Sequence, residues 1–264
     1  MTATSAVTEL PRVVMGRTKE SVTAALADLG LGGEVLRESR SRTVALAGDT
    51  YLVWGVIPSP LAVRTAESIL ALYSGVDAPP NRIFYACYAG THSSVLAGSL
   101  HLGLLTEGKR VSDLPLFDRR IHADMGVPAF LGVDRYGSEV YVLGTGWLSQ
   151  TLEKRLCGLI ELASPRANAC VCSVRGFLDL PARIGGFASR RISLVWPGRE
   201  LIALSLGRKR PEMEEAVGYC LDLSKRWKDN EGQLTGEVIW LDGSKSRRSR
   251  VGGGTGQHSC RVGP

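Results

Sequence analysis

One short segment near the middle of the chain brings together side chains that can carry out chemistry. It runs Cys87-Tyr-Ala-Gly-Thr-His-Ser-Ser94. A cysteine thiolate is a nucleophile and a neutral imidazole accepts a proton, so Cys87 and His92 are the catalytic candidates. Hydroxyl groups beside a glycine turn suit the binding of an anion. The predicted ligand-binding residues of the segment are Gly90, Thr91, Ser93 and Ser94.

A strand and a helix must position these side chains. The run from Arg82 to Cys87 is apolar and rich in aromatic and β-branched residues, which predicts a buried strand. Gly90 interrupts it, and apolar residues recur at helical spacing from Val95 onward. A helix that begins here directs unpaired backbone N–H groups, with a partial positive charge, at the end of the strand. We therefore expect a small anionic ligand, such as a phosphorylated metabolite, a nucleotide or a carboxylate.

Four interpretations of this segment stay open. A P-loop-like nucleotide site requires a lysine where His92 stands, and only Ser93 then fits that motif. A low-molecular-weight cysteine phosphatase carries an arginine six residues after its cysteine, where this chain has Ser93. In the third interpretation, the turn binds an anion without catalysis. In the fourth, Thr91, Ser93 and Ser94 only cap the helix.

Two arginines farther along the chain offer the positive charge that the segment lacks. A helix predicted over 180–191 carries Arg183 and Arg190, which are seven residues apart and therefore share one helix face. The pair Gly185-Gly186 suggests that the backbone of this helix approaches a neighbour or a ligand closely. We add Arg183 and Arg190 to the predicted ligand-binding residues, with a solvated helix face as the alternative.

The sequence predicts no metal site and identifies no cofactor. The chain has four histidines, and its six cysteines include no C-x-x-C pair. We expect Cys170 and Cys172 to make a poor chelate, with their side chains on opposite faces of a strand.

The basic charge of the chain is concentrated at its C-terminal end. The formal net charge is +6, but residues 243–264 hold five basic residues and no acidic one. The remaining residues are therefore nearly neutral and show no basic stripe with interleaved aromatic residues. This argues against nucleic-acid binding except through the Gly-, Ser- and Arg-rich tail, which we expect to be disordered.

Alternating strand and helix patterns predict the fold class. We expect a small α+β domain over residues 1–80, an α/β domain over residues 81–242 and a disordered basic tail over residues 243–264. Pro79-Pro80 marks the first boundary. The α/β domain is predicted to have three layers and a partly parallel sheet. Its later elements are expected to be strands at 192–196 and 201–206, a helix at 211–227 and an edge strand at 237–241.

The chain shows no sign of a membrane location. No stretch approaches the ~18 apolar residues that cross a bilayer. Residues 1–9 lack the basic start and apolar core of a secretory signal. Irregularly spaced cysteines fit reduced thiols in a cytosolic protein. We expect a cytoplasmic protein without a membrane partner, and the oligomeric state is not predicted.

Several motifs together resemble a known family. The end motifs are the Cys87–Ser94 segment and Arg183-Ile-Gly-Gly-Phe-Ala-Ser-Arg-Arg191, and between them lie Leu114-Pro-Leu-Phe-Asp118, Gly132-Val-Asp134 and Glu139-Val-Tyr-Val-Leu-Gly144. In this order, over about residues 82–210, they resemble an uncharacterised (domain of unknown function) family of spore-forming Gram-positive bacteria. Its common form is expected to have a second glycine where Ala89 stands. The resemblance implies a bacterial cytosolic protein and implies nothing about catalysis.

Two functional hypotheses of different classes follow. In the first, the protein binds or acts on a phosphorylated or nucleotide-like small molecule at residues 87–94, and Cys87, His92, Ser93 and Arg183 converge on one pocket. The alternative is a non-enzymatic regulatory or partner-binding protein, with sporulation as its suggested setting. That alternative predicts an exposed apolar patch.

Overall fold

The chain forms two sheets with helices between and around them. A computed structural model describes residues 11–31, 36–119, 124–177, 195–230 and 236–245. The strands are β1 Arg12–Gly16, β2 Arg37–Glu38, β3 Val44–Ala47, β4 Thr50–Trp54, β5 Arg82–Cys87, β6 Ala129–Val133, β7 Glu139–Gly144, β8 Ala169–Ser173 and β9 Val238–Asp242. The α-helices are α1 Lys19–Asp28, α2 Pro60–Ala71, α3 Ser93–His101, α4 Ser149–Ala163, α5 Val195–Arg208 and α6 Arg210–Asp229.

The larger sheet has the strand order β6-β7-β5-β8-β9. Strands β7, β5, β8 and β9 run parallel, and β6 pairs antiparallel with β7 at one edge. The strand β5 is central and all six of its residues are buried, which explains its continuous apolar run. The predicted partly parallel sheet is confirmed.

Helices cover both faces of this sheet. On one face, α3, α5 and α6 share a hydrophobic cluster with Tyr85, Val142 and Cys172 from three adjacent strands. On the other face, α2 and α4 pack against Phe84 and Leu143. Residues alternate between the two faces along each strand, as the pleat requires. The three-layer α/β arrangement is therefore confirmed.

The smaller sheet has the strand order β1-β4-β3-β2 and is formed by residues 12–54. The helix α1 packs on one of its faces. On its other face, Val44 and Val53 belong to the same cluster as α2, α4 and the larger sheet. Ser59 caps α2 by accepting a hydrogen bond from the Ala62 N–H, and Pro60 stands in the first turn, where its missing N–H is not needed. The division into domains at residue 80 stays a prediction.

The strand predicted at 201–206 is wrong, because residues 195–208 form the helix α5, and the strand predicted at 192–196 lies mostly outside the described residues. In a strand at 201–206, the side chains of Ile202, Leu204 and Leu206 would share one face. In the structure Ile202 and Leu206 are fully buried, whereas Leu204 is 57% exposed. This is helical spacing, in which residues four apart share a face and the residue midway between them points away. A short apolar run does not distinguish the two structures.

The expectation that Cys170 and Cys172 point to opposite faces of their strand is also wrong. Both thiols lie in the hydrophobic cluster beneath α6, together with Cys220. Residues two apart on a strand point to the same face, whereas adjacent residues point to opposite faces.

Some predictions fall on residues that the structure does not describe. The helix predicted over 180–191, with Arg183 and Arg190, lies outside the described residues. Of the predicted tail, Gly243–Lys245 forms a short 3-10 helix, and residues 246–264 lie outside the described range.

Candidate functional site

Cys87 ends the central strand and lies directly before the turn into α3. Its side chain is 1% exposed. The Gly90 N–H donates a hydrogen bond to the Cys87 Sγ over 3.1 Å, and the Ser94 Oγ lies 3.1 Å from the same sulfur. Gly90 allows this tight turn because its φ of 70° is one that favours glycine. The turn and the helix start therefore converge on the cysteine sulfur.

These contacts change the acidity of the thiol. Burial alone raises the pKa of Cys87, because it disfavours the charged form. The Ser94 hydroxyl, the Ser94 and Gly90 amides and the Ser93 hydroxyl act in the opposite direction and outweigh burial, so the pKa is lowered overall. Cys87 thus occupies the centre of the amide cradle that the sequence assigned to a ligand anion, and the surrounding donors favour its thiolate form more than burial opposes it.

The capping of α3 differs from the prediction. The N-cap is His92, with φ −122° and ψ −89°, and its side chain makes no capping hydrogen bond. Thr91 instead donates its hydroxyl to the Leu116 carbonyl over 3.1 Å. The Ser93 hydroxyl is fully buried and has no hydrogen-bond partner of standard geometry among the described residues. The Thr91 hydroxyl thus binds the 116–118 loop, and the Ser93 hydroxyl makes no capping hydrogen bond among the described residues.

A strained loop holds His92. The His92 Nε2 lies 3.0 Å from the Asp118 Oδ1, and the His92 ring packs edge-on against Phe117 with centroids 5.4 Å apart. Leu116 and Asp118 have φ values of 64° and 54°, in the left-handed region that costs non-glycine residues energy. The Asp118 N–H donates to the Thr91 carbonyl over 3.2 Å, so the loop is tied to the turn at several points. A carboxylate on one imidazole nitrogen fixes the ring and its tautomer.

The end of β7 forms the second wall of the site. A Cβ on Gly144 would lie 2.7 Å from the Ala89 carbonyl oxygen, so only glycine allows the two backbones to approach this closely. The Thr145 N–H donates to the Cys87 carbonyl over 3.0 Å. The Thr145 hydroxyl donates to the Glu153 Oε1 over 2.9 Å. Arg175, just after β8, donates from Nε to the same Glu153 oxygen over 2.9 Å and from Nη2 to the Thr145 hydroxyl.

These groups lie where an open α/β sheet binds ligands. The neighbouring strands β5 and β7 lead into α3 and α4, which cover opposite faces of the sheet. Open α/β sheets bind their ligands between two such connections, at the carboxyl edge of the strands. Several buried polar atoms at this edge have no hydrogen-bond partner among the described residues, namely Ser93 Oγ, Glu153 Oε2 and Ser173 Oγ. Such atoms are rare in folded proteins and are typical of functional sites.

The structure brings together most of the predicted site and adds residues that the sequence did not single out. Gly90, Ser93 and Ser94 surround the sulfur atom of Cys87. Thr91 and His92 instead contact the 116–118 loop. The convergence of Arg183 on this pocket stays a prediction. The residues that the sequence missed are Asp118, Thr145, Glu153 and Arg175. Asp118 closes one of the motifs used for the family resemblance, and the others had no signal because only the folded chain brings them to this edge.

Two further observations on the described residues concern metal ions and membranes. They contain no group of three or more His, Cys, Asp or Glu side chains arranged to hold a metal ion. None of their helices has both the length and the apolar character required to cross a bilayer.

The fold and the site define an α/β protein with a buried thiol at a strand–turn–helix corner. Residues 82–220 match the family described as "Protein of unknown function (DUF3189)", and this match spans more than half of the chain. The chain belongs to that family, as the resemblance in sequence suggested, while an origin in spore-forming bacteria stays a prediction. No curated protein and no solved structure matched the chain in the corresponding comparisons.

Proposed function

We propose that the protein binds a phosphorylated or nucleotide-like small molecule at the carboxyl edge of β5 and β7, and that Cys87 acts on it. The observation that carries this proposal is the environment of the Cys87 sulfur, which lies 3.1 Å from both the Gly90 amide nitrogen and the Ser94 hydroxyl at the start of a helix. Those donors stabilise negative charge on sulfur. A hydroxyl beside a thiolate also stabilises it when it departs from an intermediate.

The chemistry of a thiolate fits a phosphate ester. The Cys87 sulfur attacks phosphorus, forming an S–P bond while the P–O bond to the leaving group breaks, and the leaving oxygen takes a proton from His92. Water then attacks phosphorus and gives a proton to His92, the S–P bond breaks, and the thiolate returns. Asp118 keeps the His92 ring in position for both proton transfers.

Access to the sulfur requires movement, because Cys87 is 1% exposed. The 116–118 loop contacts Thr91 and His92 directly, and it holds two residues in the strained left-handed conformation. Displacement of the 116–118 loop therefore uncovers the turn. Strain of this kind is found at sites where a ligand rearranges the backbone.

The experiment compares hydrolysis of an aryl phosphate by the parent chain, Cys87→Ser and Cys157→Ser. Cys157 is another buried thiol, on α4, and serves as the matched control. We expect activity in the parent and in Cys157→Ser, and none in Cys87→Ser. A thermal-shift screen with inorganic phosphate, nucleotides and sugar phosphates tests binding, since a ligand of the folded state raises its melting temperature. Activity that survives Cys87→Ser excludes the role of the thiol, and a parent that binds none of these ligands refutes the proposal.

One observation favours the alternative, a partner-binding protein. The apolar side chains of Phe130 and Val133 are 54% and 56% exposed on the edge strand β6. The bulge between Phe130 and Gly132 places both on the face that also carries Tyr141. An exposed apolar pair at a sheet edge is a contact surface for another chain. Under this alternative, Phe130→Ser abolishes association with a partner and leaves any phosphate binding unchanged.

A further inference from the structure

The geometry points to Arg175 as the residue that binds the phosphoryl oxygens of the ligand, an inference that rests on the proposed function above. Arg175 begins a short 3-10 helix, Arg175–Phe177, directly after β8. Because β8 is the parallel neighbour of β5, Arg175 lies at the same edge of the sheet as Cys87. The nearby positive charge that the sequence sought at Arg183 and Arg190 is therefore present within the described residues.

Among the described residues, the guanidinium of Arg175 is anchored on one side only. Its Nε donates to the Glu153 Oε1 and its Nη2 donates to the Thr145 hydroxyl. A guanidinium carries five N–H donors, and these two contacts leave three of them. The described residues supply no other hydrogen bond to Arg175, whose side chain is 18% exposed. The remaining donors form a rigid fork that matches two oxygens of a phosphate.

Short contacts join Arg175 to the Cys87 turn. The hydroxyl that receives the Nη2 hydrogen bond belongs to Thr145, whose amide donates to the Cys87 carbonyl over 3.0 Å. Gly144 and Ala89 lie in direct backbone contact, without a side chain between them. Arg175 and the turn therefore lie at the same edge of the sheet and are linked through Thr145.

The contacts of Glu153 do not fit a purely structural ion pair. Its carboxyl group is fully buried, and its Oε2 has no hydrogen-bond partner among the described residues. A buried carboxylate offsets its desolvation best when an arginine engages both of its oxygens. Here Arg175 engages one oxygen and turns a second nitrogen to Thr145. Glu153 is thus a positioning residue, which orients the guanidinium and leaves its other donors to the ligand.

This arrangement replaces an arginine that the turn itself lacks. A cysteine phosphatase carries the arginine six residues after its cysteine, and this chain has Ser93 there, buried and with no hydrogen-bond partner of standard geometry among the described residues. Arg175, which follows the neighbouring strand β8, supplies an equivalent guanidinium group. The ligand group is accordingly a phosphoryl group held between Arg175 and the Ser93 hydroxyl, beside the Cys87 sulfur.

The test is calorimetric titration of the full chain with inorganic phosphate. The variants are Arg175→Ala, Arg175→Lys and the control Arg226→Ala, which removes an arginine paired with Glu237 at the opposite edge of the sheet. We expect Arg175→Ala to weaken phosphate binding by about tenfold to a hundredfold, the usual effect of losing charge-assisted hydrogen bonds. Arg175→Lys should fall between this variant and the parent, because lysine keeps the charge without the fork. Arg226→Ala should bind as the parent does.

The possible outcomes separate this inference from the function on which it rests. Equal affinity in the parent and in folded Arg175→Ala overturns the role of Arg175 and leaves the proposed function intact. A parent that does not bind phosphate overturns both. If Arg175→Ala does not fold, Arg175→Lys decides: a several-fold loss of affinity at an unchanged melting temperature supports the role, and unchanged affinity overturns it.

Discussion

The residue Cys87 shows how local contacts reverse the usual effect of burial. A fully buried thiol normally resists ionisation, and the described cysteines Cys170 and Cys172 follow that rule, since hydrogen bonding to Cys220 and burial raise the pKa of both. At Cys87 the donors at the start of α3 outweigh burial and lower the pKa. The difference comes from position, because Cys87 lies at the end of a strand that faces a helix N-terminus.

Replacing Ser94 by alanine should raise the pKa of Cys87. The substitution removes the hydroxyl 3.1 Å from the sulfur and leaves burial, which favours the neutral thiol, less opposed. The measurement is the rate of Cys87 alkylation as a function of pH, followed by mass spectrometry of the peptide that contains it. The reactive range should move to higher pH. Ser99→Ala is the control, because Ser99 is buried on the same helix without a hydrogen-bond partner among the described residues; a shift of equal size in that variant contradicts the prediction.

At the scale of elements, the sequence predicted those with a distinctive pattern. The run of six buried residues in β5 and the helix predicted at 211–227, which lies within α6, both appeared as expected. Part of the helix α5 was mistaken for a strand at 201–206 because its short apolar run fits both periods. The thiol turn was predictable because its residues are adjacent in the chain. The wall formed by Thr145, Glu153 and Arg175 was not, because three different elements contribute it.

The turn between β6 and β7 is tied to the helices through Asp134. Burial raises the pKa of Asp134, but hydrogen bonds involving His101, Ser224 and the Ser138 and Tyr136 amides outweigh it and lower the pKa from 3.8 to about 2. Because the folded state prefers the carboxylate, this group adds about 2 kcal/mol of stability above pH 4, which is lost as the pH falls toward 2.

Asp134→Asn should therefore unfold more easily at neutral pH, by about 2 kcal/mol, and should lose less stability than the parent between pH 4 and pH 2. Urea unfolding at a series of pH values measures both effects. Asp28→Asn removes one exposed carboxylate at the end of α1 and controls for net charge. Parallel stability curves for the parent and Asp134→Asn across this range would show that the hydrogen bonds do not favour the carboxylate.

Two glycine substitutions should have opposite effects. A methyl group on Gly144 would lie 2.7 Å from the Ala89 backbone, so Gly144→Ala must separate β7 from the turn and should destabilise the fold by about 1–3 kcal/mol. A methyl group on Gly218, within α6, meets no atom within 4 Å. Gly218→Ala should raise stability by about 0.5–1 kcal/mol, since alanine is the better helix former. Unfolding free energies of both variants check the pair, and a neutral Gly144→Ala would contradict the close approach of the two walls.

At the scale of the whole molecule, one hydrophobic cluster joins the two sheets. It contains Val44 and Val53 from the smaller sheet, Phe84 and Leu143 from the larger sheet, and the inward face of α4 between them. Burial of this kind couples elements that are far apart in the chain, because neither sheet can expose that face to water without losing hydrophobic stabilisation. We therefore expect residues 11–75 and 82–242 to unfold together, although the sequence suggests a boundary between them.

Leu152→Ala tests this coupling, because Leu152 is a fully buried residue of α4 within the shared cluster. The cavity should cost about 2–5 kcal/mol. Hydrogen exchange measured by mass spectrometry should show the same loss of protection in β3 and β4 as in β5 and β8, since a cooperative unit opens with one free energy. Leu204→Ala, at an exposed position of α5, should leave both sheets unchanged. Loss of protection confined to one sheet would mean that the two sheets unfold independently and that the cluster is an interface between domains.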